Sequence, residues 1–147
     1  MSSNMIKLAI SKILENASKL KGDQAKAEYL QQNATPVLYD ILRGIFDPNI
    51  KWDLPDGDPP YKPCSPAETD GKFYSEARKL YLFVEGNNLK PYQRESLFVQ
   101  FLESIHPEDA KMILSMKDKK SPYKGITRNV VDLAFPGLIP NEQVVQA

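Results

Sequence analysis

Six of the 12 prolines fall between Pro48 and Pro66, and this clustering restricts the fold more than any other feature of the 147-residue chain. Proline lacks a backbone N–H and fixes φ, so this stretch cannot form a helix interior or a central strand. We therefore expect residues 47–71 to form one long loop. Loops of this length in compact domains are usually functional or mobile. The alternative is a loop that only wraps the surface, held by Trp52 and Tyr61.

On both sides of this loop, apolar residues recur at the spacing of amphipathic helices, whereas alternation with a period of two is nearly absent. Residues 1–46 predict three helices, near residues 4–17, 23–33 and 36–46. Residues 72–140 predict four more, near residues 72–85, 91–105, 107–116 and 128–135. The sequence therefore predicts one all-α domain, a compact bundle of six or seven short helices, with residues 141–147 as a tail.

The starts and the buried faces of these helices are also predicted. Residues suited to starting a helix precede four of them, namely Ser2 or Ser3, Thr35, His106 and Thr127. Regular α-helical spacing assigns Tyr81 and Leu133 to the buried faces of their helices.

The composition excludes several classes of protein. With 19 basic and 19 acidic residues the net charge is zero, which excludes a wholly basic protein of the histone kind. Because Cys64 and His106 are the only residues of their kinds, an internal disulfide and the usual ligand sets of a zinc finger are excluded. No apolar run is long enough to span a bilayer, and residues 1–7 lack the pattern of a secretory signal. We expect a soluble intracellular protein without metal or cofactor.

The zero net charge conceals two regions of opposite sign. Residues 111–128 carry six cations and one acid, a local charge of +5, whereas residues 53–70 carry five acids and one lysine, a local charge of −4. The six cations of the basic segment are Lys111, Lys117, Lys119, Lys120, Lys124 and Arg128. Local charge of this kind marks candidate surfaces for partners of the opposite sign.

The basic segment has the local pattern of a phosphate site. Lysines lie at the end of one helix, Gly125 allows close approach, and Thr127 caps the next helix, whose first N–H groups attract anions. We therefore take as candidate DNA-binding residues Lys117, Lys119, Lys120, Lys124, Gly125, Thr127 and Arg128. The alternative is that the lysines only offset the dipole of the preceding helix and keep the surface hydrated.

Candidate catalytic groups lack the partners that their chemistry needs. The tripeptide Lys51-Trp-Asp resembles the start of a nucleotidyl-transfer lysine motif, but Leu54 stands where that motif has glycine. His106 has no neighbouring Ser or Cys, and Cys64 lies among prolines without a stabilising basic partner. A phosphate-binding Gly-x-x-x-x-Gly-Lys-Ser/Thr segment is missing as well. We therefore expect a protein that is not an enzyme.

One C-terminal segment resembles a known domain. The run Gly125-Ile-Thr-Arg-Asn-Val-Val-Asp-Leu-Ala-Phe135-Pro-Gly-Leu-Ile-Pro140 is similar to the end of the N-terminal helical DNA-binding domain of ATP-dependent DNA ligases, those of T-even phages above all. The order of short helices around Ile13-Leu-Glu-Asn16 and Lys26-Ala-Glu-Tyr-Leu30 is also similar, but residues 47–72 have no counterpart. The resemblance implies a grip on duplex DNA, intact or nicked, through backbone contacts at the candidate residues.

This chain departs from the ligase pattern in two respects. The helix end is rich in lysine rather than arginine, which gives point charges instead of forked pairing, and Pro122 lies in a slightly longer approach to the glycine. These 147 residues have no counterpart of the catalytic domains of a ligase, so we expect no ligation by this chain. The chain also resembles an uncharacterised family of small proteins of T4-like phages and cyanophages, through Phe46-Asp-Pro-Asn-Ile-Lys-Trp52, Lys79-Leu-Tyr-Leu-Phe-Val-Glu-Gly86 and Tyr123-Lys-Gly-Ile-Thr-Arg128.

Two functions follow as hypotheses. The first is a stand-alone module that holds duplex DNA without catalysis, in the cytoplasm of a bacterial host cell. The second is an adaptor that keeps the helical scaffold without strong DNA binding. The acidic part of its Pro-rich loop, residues 53–70 (the acidic loop), and its tail, residues 141–147, would then dock on a phage replication, transcription or virion protein.

Overall fold

The computed structural model of the protein describes residues 8–65 and 72–140. Within these residues the chain forms seven α-helices and one 3₁₀ helix, without a β-strand. The α-helices are α1 (Ile10–Ser18), α2 (Asp23–Gln32), α3 (Pro36–Phe46), α4 (Lys72–Glu76), α5 (Pro91–Ser104), α6 (Pro107–Lys117) and α7 (Arg128–Ala134). The 3₁₀ helix, Ala77–Phe83, continues directly from α4. The predicted all-α fold is confirmed.

Three of the predicted helix starts are confirmed. The side chains of Thr35, His106 and Thr127 each accept a backbone N–H from the first turn of the following helix, at 3.0–3.3 Å. These hydrogen bonds satisfy donors for which the first turn of a helix offers no acceptor. Proline follows directly at the first helical position of α3 and α6, where its missing N–H costs nothing.

The predicted start of α1 is wrong. Ala9 is extended and α1 begins at Ile10 rather than near residue 4, and the predicted caps Ser2 and Ser3 lie outside the described residues. The physical reason lies in another helix. The carboxylate of Asp109, at the start of α6, accepts the backbone N–H of Ser11 at 3.0 Å. A side chain that is remote in sequence therefore caps α1, and no local pattern could have indicated it.

The core lies between α6 and the helices around it. Helix α6 packs against α1, α3 and α5, while α2 packs against α1 and α7. Most residues of α6 are buried for this reason, including Ala110, Met112, Ile113, Leu114 and Met116. Beside α5, the rings of Phe83, Phe98 and Phe101 pack edge-on or tilted with centroids 5.1–5.8 Å apart.

Two predicted buried residues are exposed. Tyr81 is 71% exposed because the predicted helix over 72–85 changes to a 3₁₀ helix at Ala77. The period of three then puts Ala77, Leu80 and Phe83 on the buried face. Leu133 is 43% exposed, because the short α7 turns Val130, Val131 and Ala134 inward instead.

The predicted loop is confirmed for residues 47–65, which contain no helix or strand; residues 66–71 lie outside the described residues. Its first part is held in place. Trp52 forms an isolated antiparallel bridge with Val84, and its indole N–H donates to the Gly44 carbonyl of α3 at 3.0 Å. The buried Arg94 of α5 donates to the carbonyl of Asp53 at 2.6 Å and lies 3.3 Å from its carboxylate.

Candidate nucleic-acid interface

The basic segment begins with a turn that ends α6. The backbone N–H of Lys119 donates to the carbonyl of Met116, and that of Lys120 donates to the carbonyl of Ser115, both at 2.9 Å. Lys119 itself has a φ of +59°, in the left-handed region. This pair of hydrogen bonds around a left-handed residue is the Schellman motif, which usually has glycine at the left-handed position. A lysine at that position indicates that its side chain has a structural use.

The ammonium group of Lys119 closes the end of α3. It donates to the carbonyls of Gly44, Asp47 and Ile50 at 2.7, 2.8 and 2.9 Å. Cations at a helix C-terminus are favoured by the helix dipole and satisfy carbonyls that lack intrahelical partners. Burial among these groups lowers the pKa of Lys119, and the charge of Asp47 partly offsets the shift. Lys119 therefore caps the end of α3, and this internal role takes precedence over the predicted contact with DNA.

Two further candidate residues also make internal contacts. The side chain of Lys117 is only 2% exposed, and its ammonium lies 2.8 Å from the Asp118 carboxylate. Arg128 pairs with Asp132 one turn along α7 at 3.1 Å. It also donates to the carbonyls of Ile139 and Pro140 at 3.3 and 3.4 Å, which holds the residues that follow α7 against that helix.

Side chains of this same chain already form hydrogen bonds at the start of α7. The hydroxyl of Thr127 accepts the N–H of Val130 at 3.3 Å. In the first turn, the amide of Asn129 donates to the carboxylate of Asp23 at 2.7 Å, so a negative charge already lies near this helix end. Because α7 has only seven residues, its dipole is small as well. The predicted phosphate position at Thr127 stays a prediction, although these contacts compete with it.

Lys119, Lys120 and Lys124 are the exposed candidate lysines, and of these only the ammonium of Lys119 is shown bonded to carbonyls within the described part of the chain. Gly125, which follows them, has a φ of +98°, a conformation that side chains disfavour. The ammonium of Lys26, on α2, lies next to this glycine: a methyl group at position 125 would come within 2.9 Å of it. The structure therefore brings a third cation to the turn. No local sequence pattern indicates Lys26, because only the packing of α2 on α7 places it there.

The acidic loop folds back toward the basic segment. Asp58 of the loop lines one shallow depression together with Lys111 and Lys120. Charges that are opposite in sign and distant in sequence thus become neighbours, and the field of Lys120 is partly compensated. Lys124 and Lys26 do not line this depression.

The residues considered for catalysis have other surroundings. His106 caps α6 through Nδ1, as the sequence predicts for a helix start. Cys64 is half-buried in the loop. Within residues 8–65 and 72–140, no group of three His, Cys, Asp or Glu side chains is arranged to hold a metal ion. No helix in the same ranges is long and apolar enough to cross a membrane.

Comparison with protein families gives one match, over residues 13–122, to a family of unknown function, DUF6433. The chain belongs to the DUF6433 family. The match begins within α1, ends shortly after α6 and includes the Pro-rich loop. The match ends before residues 125–140. No curated protein is significantly similar to this chain.

Proposed function

We propose that this chain is a non-catalytic module that binds duplex DNA through the phosphate backbone without reading base sequence. The arrangement around Gly125 carries the proposal: the exposed Lys124 precedes this glycine in the chain, and the ammonium of Lys26 lies beside it. Lysines beside an accessible backbone are suited to phosphate oxygens, which position a protein on DNA without specifying sequence. The similarity of residues 125–140 to the ligase domain supports the same function.

The structure changes which residues we assign to this contact. Lys120, Lys124 and Lys26 would supply the charge, and Gly125, which has no side chain, leaves room for the Lys26 ammonium at the turn. Lys117, Lys119 and Arg128 act through the shape of the turn, because their cationic groups are already bonded within the chain. Thr127 acts as the cap of α7.

Fluorescence anisotropy with an intact and a nicked duplex, at two salt concentrations, tests the proposal. The informative variant is Lys120→Ala/Lys124→Ala, which should weaken binding equally on unrelated sequences. Log K falls as log salt rises, and each phosphate that the variant no longer neutralises should make this negative slope shallower by about 0.9. The matched control, Lys51→Ala/Lys62→Ala, removes the same charge from exposed positions in the Pro-rich loop and should bind like the wild type. Equal weakening in both variants would contradict the assigned site.

A second candidate function is the protein adaptor, and the position of the acidic loop favours it. Asp58 lies beside Lys111 and Lys120, so its negative charge disfavours a broad DNA-binding surface on this side of the molecule. The partner would be a phage replication, transcription or virion protein, and the resemblance to small proteins of T4-like phages supports a setting in the bacterial cytoplasm. The tail proposed as a second contact, residues 141–147, lies outside the described residues. Absence of DNA binding at low salt would favour this candidate.

A further inference from the structure

A cavity of about 370 Å³ separates the Pro-rich loop from α5. Leu54, Phe98 and Val99 give it apolar walls, and three prolines of the loop line it as well. Its volume is at the lower end of the range for ligand sites in proteins. A cavity of this size suits one or two apolar side chains of a partner better than a large cofactor.

The carboxylates around this cavity are exposed. Asp56, Asp58 and Glu95 line it, and none of them is in an ion pair with another described residue. Among the described residues that line it, Lys117 is the single cation, but that side chain is buried and neutralised by Asp118 at 2.8 Å. The lining of the opening therefore has a net negative charge, carried by Asp56 and Glu95 and by Asp58, which also adjoins Lys111 and Lys120.

The wall formed by the loop is fixed at both ends. At its start, Arg94 holds the carbonyl and the carboxylate of Asp53. Beyond its end, the backbone N–H of Lys62 donates to the carboxylate of Glu103 on α5 at 2.8 Å. Prolines between these points restrict φ, and Gly57, with a φ of +83°, allows the turn. The loop should therefore lose little conformational entropy when a ligand binds.

We infer that this cavity is a docking site for a cationic peptide segment of a partner protein. One large apolar side chain of the segment inserts between the loop and α5, and flanking Lys or Arg side chains meet Asp56, Asp58 and Glu95. A buried apolar anchor surrounded by complementary charge is the usual form of a small protein-binding hot spot. The same carboxylates repel nucleic acid. The inference uses residues other than those assigned to DNA and stands independently of that proposal.

The test uses the full chain and a short fluorescein-labelled peptide with a central Phe between Lys-Arg-Lys flanks. Binding is measured by anisotropy, and the contacted residues are mapped by changes in backbone amide chemical shifts. We expect the largest changes at residues 54–60 and 95–99. A peptide with Ala in place of Phe should bind at least tenfold more weakly, because an apolar anchor in a pocket typically dominates such contacts. A peptide with Glu flanks should not bind.

Two variants of the chain separate the apolar and the charged contributions. Ser96→Trp, at an exposed position in the lining, fills the cavity and should abolish binding. Asp56→Asn/Glu95→Gln leaves the shape intact and should weaken binding roughly three- to tenfold at low salt, and less at high salt. The matched control Glu28→Gln/Glu85→Gln removes two exposed carboxylates elsewhere and should have no effect. Circular dichroism checks that each variant is folded.

Several outcomes would overturn the inference. One is equal binding of the Phe and Ala peptides, and another is wild-type binding by a folded Ser96→Trp variant. Chemical-shift changes confined to residues outside the loop and α5 would place the peptide elsewhere. Displacement of the peptide by an oligonucleotide that shifts the same loop residues would identify nucleic acid as the occupant instead.

Discussion

The basic segment, residues 111–128, and the acidic loop use their charges in opposite ways. Four of the six cations that give the segment its charge are bonded to carbonyls or carboxylates of the same chain, at Lys111, Lys117, Lys119 and Arg128. In the described part of the loop only Asp53 has a buried cationic partner, while Asp56 and Asp58 are exposed. Local charge counted along a sequence is therefore a poor measure of the charge that a partner meets.

The difference follows from where each region lies in the fold. The lysines follow the end of α6 and adjoin the end of α3, where carbonyls without intrahelical partners attract long cationic side chains. The loop carboxylates need N–H donors, and the prolines around them provide none. Short acidic side chains in such a loop remain in water, where they cost little and stay available to a partner.

The largest effect that we predict is at the residue that holds the loop. Arg94→Ala should lower the free energy of unfolding by about 3 kcal/mol, since it removes charge-assisted hydrogen bonds from the carbonyls of Asp53 and Leu89. Denaturant unfolding measures the decrease. Peptide binding at the cavity should fall as well, because the loop wall is no longer fixed at its start.

Arg78→Ala, at an exposed arginine, is the control and should change stability by less than about 0.5 kcal/mol. An Arg94→Ala variant as stable as this control would show that the loop is held without its guanidinium. The statement that Arg94 fixes the acidic loop would then be wrong, while the internal bonding of the basic segment would be unaffected.

The next effect concerns the basic segment. Lys119→Ala should lower the free energy of unfolding by about 2 kcal/mol, because the carbonyls of Gly44, Asp47 and Ile50 lose their donor. Lys119→Gly should cost about 1 kcal/mol less than Lys119→Ala, since glycine adopts the positive φ freely.

Lys124→Ala is the matched control and should leave stability within about 0.5 kcal/mol of the wild type. The pair separates the two roles of a lysine in this segment: Lys119 should affect folding, and Lys124 should affect DNA binding alone. Equal stability of the Lys119→Ala and Lys124→Ala variants would remove the internal role that we assign to Lys119.

The sequence predicts this fold better than it predicts the candidate site. Helix starts at Thr35-Pro36 and His106-Pro107 have local causes, in a cap and a proline, and both are confirmed. The start of α1 has a remote cause, the carboxylate of Asp109, and its prediction is wrong. The prediction that Tyr81 is buried is wrong because a change from α to 3₁₀ spacing leaves no clear local pattern.

The same distinction between local and remote causes applies to the site. Thr127 and Gly125 have the local roles that their residue types indicate, in a cap and in a turn. The contacts of Lys119 span more than 60 residues of sequence, and Lys26 reaches Gly125 only through the packing of α2 on α7. The exposure of a charged side chain is thus decided by tertiary contacts, which composition does not contain.

A smaller effect on stability is expected at Gly125, the glycine of the candidate DNA contact. Gly125→Ala should lower the free energy of unfolding by about 1.5 kcal/mol, because alanine disfavours a φ of +98°. The added methyl group would also displace the Lys26 ammonium from its position 2.9 Å away. DNA affinity, measured under conditions where the variant is folded, should fall together with that of Lys26→Ala. A less stable variant with unchanged DNA binding would confine Gly125 to a structural role.

The smallest effect that we predict is on the pH dependence of stability. It distinguishes a buried carboxylate of α6, Asp109, from the exposed carboxylates of the loop. Burial raises the pKa of Asp109, although the Ser11 N–H and the nearby His106 partly oppose the shift. Because its pKa is raised in the folded state, the stability that Asp109 contributes is fully present below the usual Asp pKa of about 3.9 and is lost as the pH rises through the higher folded value.

Asp109→Asn retains an oxygen acceptor for the Ser11 N–H and removes the charge. The variant should match the wild type at low pH and exceed it at neutral pH, by about 1 kcal/mol or less. Urea unfolding across this range measures the difference. Asp56→Asn, in the loop, should stay within about 0.5 kcal/mol of the wild type throughout. If Asp109→Asn is instead less stable at neutral pH, the ionised carboxylate stabilises the start of α1 as a charged cap, and the internal use of charge extends from the cations of this region to its acids.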